Sequence, residues 1–502
     1  MRTDSKKTVW LEWKRSRRAV TAIFALVGLS GAGAPAANAQ DKSAQVSKVE
    51  RLNRAPVNKE ILRVKLPTPA MVKLPNGLTL LLLEDHKLPT IAFTMWIRPG
   101  QLADPNDLPG LASFTADMLR EGTDRRTSAE IAAEVDSLGA SLAADSRFGA
   151  SYTTVNGSGL IDSAPQILDL MSDIVLHPAF PEAELAKYKQ RQAASLEDRL
   201  SNPMFPGQQA FRRVVYGDAP LAVISPTKES IEKAKREDLK KFHSEHYRPG
   251  NAILGVTGDF KSSEMRALIE KHFGSWTGKA EAPLAFPAVV RRQPAKITLV
   301  DRPGSVQTFI IGGGQSIRRT DPIYPTLAVM NQVVGGGPQS RLFLDLREEH
   351  GYTYGSYSRF DAEIYPGTWA GFAPVRTPVT DGSMTQFVYE FKRINNEPVP
   401  QSELDDARRA IVANFALSLE QPAQLLGNWL TSAHFGLPSD YWDQYPDRIA
   451  AVDAPSVEAA AKRFVDLDHL QWVAVGDRKA IQDVLAKYGP VTVVDVTGKE
   501  EK

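Results

Sequence analysis

Residues 335–357 read GGGPQSRLFLDLREEHGYTYGSY. Three glycines lead into Leu342, Phe343 and Leu346, whose spacing predicts a helix of about two and a half turns that stops at Gly351. The residues after it, 352–357, alternate aromatic with small in the manner of a strand. Arg347 is thereby expected near a helix end and Tyr354 at the start of a strand. A guanidinium that keeps its charge and a phenolic hydroxyl, so placed across one turn, can converge on a carbonyl oxygen or a developing oxyanion. The same two residue types also describe an ordinary surface ion pair and a half-buried ring, and spacing alone does not separate the readings.

The stretch lies in the second of two similar halves. AILGVTGD at 252–259 corresponds to LQWVAVGD at 470–477, an offset of 218. The same offset carries the strand LTLLLLE (78–84) to KITLVD at 296–301, each followed by a second strand, and the helix at 111–121 to one at 327–334. Further strands are expected at 141–147, 151–157 and 367–373. Helices are expected at 128–138, with Ser128 able to cap, and at 164–176, 181–200, 206–216, 237–246, 262–273, 384–395 and 401–434. A Pro-rich break at 280–294 separates the halves. The expected fold class is α+β: two homologous domains, 71–279 and 295–491, each a mostly antiparallel sheet covered by helices, followed by a 492–502 tail.

The glycine-rich run, the R-L-F helix and the L-R-E-x-x-G-x-x-Y turn resemble the C-terminal half of the pitrilysin-type zinc peptidases. These are the inverzincins, the family of insulin-degrading enzyme and the mitochondrial processing peptidases, and the similarity covers about 71–491. The resemblance implies two halves arranged as a clamshell around a substrate chamber, with Arg347 and Tyr354 as the pair that helps bind substrate at the zinc site. Active members carry H-x-x-E-H on a helix of the N-terminal half, where two histidines on one face hold zinc and the glutamate activates water. The matching helix here is GLASFTADMLREGT (110–123), with Ser113, Ala116 and Asp117 at the motif positions. The family's third ligand matches Glu197 in ASLEDRLSNP. Without imidazole this set suits neither tetrahedral zinc nor a water of lowered pKa; Asp117 and Glu197 could weakly hold a hard ion or be ordinary acids. No zinc is expected in this chain.

Other motifs carry less. His243 and His246 form H-S-E-H at the end of a helix, with the spacing i, i+3, and read as surface or packing histidines. The remaining histidines are dispersed. The glycines at 335–337 are not followed by Gly-Lys-Ser/Thr, and no G-x-S-x-G elbow is present.

The first 39 residues differ in kind. Seven basic residues against two acidic ones precede an apolar run at 19–29 and small residues ending in Ala37-Asn38-Ala39, which reads as a secretory signal cleaved after Ala39. The run is too short to span a bilayer. Residues 40–70 read as a polar N-terminal arm with little structure of its own, able to pack on a later element. The mature chain carries 53 basic and 57 acidic residues, which excludes an electrostatic nucleic-acid binder. It has no cysteine, hence no disulfide, thiolate site or cysteine nucleophile.

Together with the signal segment, the family resemblance implies a zinc-less subunit of a periplasmic heteromeric metallopeptidase, inactive alone, acting on unfolded peptides without stable membrane insertion. Its partner is a homologous chain with an intact H-x-x-E-H, and zinc is expected there. The competing readings are a catalytically inactive assembly protein and a peptide-binding module on the same fold.

Overall fold

The computed structural model describes residues 63–217, 219–282, 284 and 293–500. The signal segment, most of the arm and most of the 280–294 linker lie outside the described residues.

In the N-terminal half, β1 (Ala70–Lys73), β2 (Thr79–Glu84), β3 (Thr90–Ile97), β4 (Ser141–Asp145), β5 (Thr153–Leu160) and β6 (Ala252–Gly258) form one sheet. Its order is β1-β2-β6-β3-β5-β4, antiparallel except for the β2–β6 pair. Its helices are α1 (Leu111–Met118), α2 (Ser128–Ser137), α3 (Ala164–Leu176), α4 (Glu182–Ser201), α5 (Met204–Tyr216), α6 (Lys228–Lys233), α7 (Arg236–His246) and α8 (Ser262–Phe273). In the C-terminal half, β7 (Lys296–Asp301), β8 (Gln307–Gln315), β10 (Tyr357–Phe360), β12 (Thr368–Arg376), β13 (Gln471–Gly476) and β14 (Val491–Val494) form a sheet in the order β10-β12-β8-β13-β7-β14. Two short strands, β9 (Ile317–Arg318) and β11 (Ala362–Glu363), pair in parallel beside it. Helices α9 (Tyr324–Gly335), α10 (Arg341–Phe343), α11 (Thr380–Asn396), α12 (Gln401–Ser418), α13 (Pro422–Phe435), α14 (Tyr445–Ala450), α15 (Ala454–Phe464) and α16 (Arg478–Leu485) complete it. No helix among the described residues is long and apolar enough to cross a membrane.

The duplication is close: an offset of 218 takes α7 onto α15 residue for residue and places α3, α4 and α5 within two residues of α11, α12 and α13. It also accounts for one departure from expectation. Residues 401–434 are two helices rather than one, because Pro422 lacks the N–H that would continue α12 and instead opens α13. At the start of α2 the cap is Thr127, not Ser128: its hydroxyl accepts from the Glu130 N–H while Glu130 accepts from the Thr127 N–H. The last strand, β14, runs parallel to β7 past the expected domain end at 491.

Both sheets are buried on both faces, so their central strands are nearly continuous apolar runs. Alternation along a strand then assigns residues to two different cores. Leu80 and Leu82 of β2 face their own half's helices, whereas Leu81 and Leu83 join the core built around α13. In β13, Trp472 and Ala474 face the C-terminal half's helices, while Val473 and Val475 pack with Phe211 and Val215 of α5. Each half thus lends a helix to the other's sheet. The close approach needs glycine: a Cβ on Gly207 of α5 would lie 2.5 Å from the Phe309 ring, and one on Gly255 of β6 would lie 3.0 Å from Leu426 of α13. The clamshell is clasped by this exchange. The described end of the arm docks on the C-terminal half, with the Leu66 N–H donating to Asp443 at 2.9 Å and the Trp429 indole donating to the Pro67 carbonyl at 3.0 Å.

Candidate functional site

The turn carrying Arg347 differs from the expected regular helix. After α10 the backbone widens into a π-helical turn, Leu344–Glu349, in which the His350 N–H reaches the Asp345 carbonyl at 3.1 Å. Leu342 and Leu346 remain buried, and Gly351, at φ 62, ends the turn in the left-handed region that favours glycine. Residues 352–356 are not a strand; pairing begins at Tyr357. The Thr353 hydroxyl accepts from the Gly355 N–H and donates to the Pro374 carbonyl, which bends the chain and lifts Tyr354 outward, 85% exposed. Arg347 and Tyr354 are nevertheless brought together: the Arg347 guanidinium lies 4.7 Å from the Tyr354 ring and 4.8 Å from that of Phe343. Its other contact is a 3.3 Å ion pair with the neighbouring Glu348.

Behind the turn, Arg341 is buried and holds Glu403 of α12 through two bonds of 2.8 and 2.9 Å. Burial pushes Glu390 of α11 up to about 7 in this network, and Arg341 and Arg393 act against that rise. His350, which sequence reading left isolated, meets Asp345 and Glu349: their ligand atoms lie within 4.8 Å of one another, and His350 Nδ1 is 2.8 Å from Asp345 Oδ1.

The metal-helix position in α1 is filled by other chemistry. Ala116 is fully buried and offers no donor, and Ser113 is neutral. The Asp117 carboxylate accepts from the Tyr188 hydroxyl of α4 at 2.5 Å. Glu197 lies nine residues further along α4, roughly 13 Å by helix rise, and is exposed. Glu197 is thus displaced along α4 from the Asp117–Tyr188 contact, and the donor set does not fit zinc. Tyr188 was not legible as part of this site.

Burial pushes the Asp117 carboxyl up to about 6, above its ordinary unfolded value near 4. The folded protein holds this proton more tightly than the unfolded chain, so the associated stability is full below about pH 4 and is lost as pH rises through the folded value. Asp117→Asn keeps an acceptor for Tyr188 and removes the buried charge. It is expected to raise stability by on the order of 2 kcal/mol near neutral pH, with the difference closing towards about pH 4 in urea melts.

The histidines of H-S-E-H are packing residues. His243 bonds the Val175 carbonyl at 2.8 Å and is pushed down to about 4 by burial, while His246 pairs with Glu281 at 3.0 Å. A polar knot at the seam of the halves went unread. The buried Ser151 hydroxyl lies 2.7 Å from Glu363 of β11 and 2.7 Å from His434 Nε2 of α13. It is no nucleophilic triad, because acid and imidazole address the same hydroxyl and neither orients the other.

A duplicated sheet-and-helix unit with a metal-helix position in one half and an Arg/Tyr turn in the other defines an inverzincin-type peptidase fold. A family model described as Insulinase (Peptidase family M16) matches residues 79–217, and one described as Peptidase M16 inactive domain matches 233–411. The chain belongs to the insulinase-type M16 family. It is 28% identical over 361 residues to an uncharacterized zinc protease of Rickettsia bellii, covering 70% of this chain and 84% of the relative. It is 25% identical over 354 residues to one of Bacillus subtilis, covering 69% and 83%. Among solved structures, a peptidase M16 inactive domain from Pseudomonas fluorescens superposes with TM-score 0.76 at 26% identity, over 82% of this chain and 98% of that one. A Helicobacter pylori protease shares the fold at TM-score 0.75 and 18% identity, over 82% and 100%.

Proposed function

We propose that this chain is the zinc-less, substrate-binding subunit of a heteromeric M16 metallopeptidase that cleaves unfolded peptides, and that its N-terminal signal segment exports it to the periplasm. The supporting observation is the division of the site. The Arg347/Tyr354 pair is assembled and open to solvent, while the metal-helix position is closed by the Asp117–Tyr188 hydrogen bond. Hydrolytic chemistry then belongs to a homologous partner with an intact H-x-x-E-H, which holds the zinc. On this side Arg347 holds the substrate main chain by charge and its planar fork, and Tyr354 donates a hydrogen bond to the oxyanion as it develops.

Reconstitution tests this. The isolated chain is expected to contain substoichiometric zinc by elemental analysis and to cleave no unfolded peptide. Chelator-sensitive cleavage should appear on mixing with a two-domain, H-x-x-E-H-bearing chain from the same host. One tightly held zinc per isolated chain with proteolysis of its own overturns the reading. No association with any such chain leaves the non-catalytic assembly or peptide-binding role in its place.

A further inference from the structure

We propose that the cavity between the two halves is a subsite for acidic residues. In it Arg199 and Arg359, one from each half, bind the side-chain carboxylate of an aspartate or glutamate in an extended peptide. The inference rests on the reading of the chain as a peptide-binding subunit.

The cavity measures about 500 Å³, and four guanidinium groups reach its wall: Arg147 after β4, Arg199 near the end of α4, Arg212 on α5 and Arg359 on β10. Asp361 and Glu363 stand against them. One pair of these charges cancels within the cavity, and the others do not. Arg212 takes Asp361 at 3.3 Å, Arg147 takes Asp145 outside the lining at 3.1 Å, and Glu363 accepts from Ser151. Arg199 and Arg359 form no ion pair among the described residues. The Arg199 guanidinium lies 4.3 Å from the Phe205 ring and donates a long 3.4 Å bond to the Ile224 carbonyl; that of Arg359 lies 5.6 Å from the Phe372 ring. Burial holds Arg199 below its ordinary pKa, with no anion beside it to offset the loss of water. A carboxylate arriving beside the partly buried Arg199 gains more than it would on open surface, and the exposed Arg359 adds a second planar fork on the same cavity wall.

A line of side-chain contacts ties the Arg347/Tyr354 turn to the cavity wall. From Arg347 the contacts run to Phe343, then to Tyr357 at 5.6 Å between ring centres, then to Phe372 at 6.4 Å, where Arg359 sits. This line fixes the position of the turn relative to Phe372, the ring beside Arg359. Phe205 and Phe372 of the cavity wall give apolar contact to residues flanking the acid.

Fluorescence anisotropy of the full chain with two labelled unstructured peptides, identical except that Asp and Glu in one are Asn and Gln in the other, tests the proposal without any need for turnover. The acidic peptide is expected to bind about tenfold more tightly, with a preference that shrinks as salt rises. Arg199→Gln and Arg359→Gln should each erode that preference while leaving affinity for the neutral peptide unchanged, and Arg199→Lys should keep part of it. Equal binding of the two peptides by the unaltered chain overturns the subsite and leaves the peptide-binding reading standing. So does a preference that survives both glutamine variants. Binding of neither peptide overturns the peptide-binding reading and the subsite with it.

Discussion

Tyr354→Phe, assayed in the reconstituted pair, is expected to lower kcat about a hundredfold, the loss of roughly 3 kcal/mol that follows removal of one oxyanion donor. Complex formation and thermal stability should not change. Tyr354 is 85% exposed and its hydroxyl has no hydrogen-bond partner among the described residues, so removing the oxygen leaves the folded chain as it was. What disappears is a donor whose interaction strengthens only as charge develops on the substrate oxygen, and such a loss registers in rate rather than in binding. Arg347→Lys tests the other half of the pair. It keeps the positive charge and loses the planar fork that stacks between Tyr354 and Phe343, so it should be impaired as well. Near-wild-type turnover in both variants would remove this turn from the reaction and favour the assembly role.

The largest effect on stability is expected for Arg341→Met, about 3 kcal/mol in urea or thermal unfolding. Arg341 is 4% exposed and anchors the start of the 341–351 turn to α12 through its two bonds to Glu403. Its removal strands Glu403 and also withdraws a positive charge from Glu390, a carboxyl that burial already holds near neutrality. The loss sits at the low end for a broken buried pair because Glu403 still reaches solvent, with its side chain 25% exposed. A double-mutant cycle with Glu403→Gln measures the coupling. Additive losses would show that the pair is not what holds the turn, and an unchanged melting point would show that the turn does not depend on Arg341 at all.

Most elements were legible because apolar periodicity is a local property: the strand and helix periods appear within a window of ten or so residues, whatever the window packs against. The helices at 164–176 and 262–273 match expectation residue for residue, and the 218-residue offset already implied two like halves. The turn at 341–351 shows where this stops. Leu342 and Leu346 are equally spaced for an α-helix or a π-helical turn, and hydrogen-bond slippage changes no residue, so only the folded backbone reveals it. Likewise 352–357 alternates as a strand should, but Thr353 offers its neighbours a local side-chain bond that competes with pairing.

The sequence by itself determined the family, the duplication and the lack of an H-x-x-E-H motif at 113–117, since each rests on which residues stand at which spacing. Tertiary structure alone decided what those residues meet. Asp117 and Tyr188 are 71 positions apart, the Ser151–His434 contact closes 283, and Arg199 and Arg359 reach one cavity from different halves. The exchange of α5 and α13 between the sheets is of the same kind. Gly207 and Gly255 are visible in the chain, but the Phe309 ring and Leu426 side chain that need the space are not near them until the halves pack. Spacing along a chain specifies local conformation and residue chemistry. Burial, charge balance and convergence depend on contacts between distant segments, and those exist only once the two cores have formed.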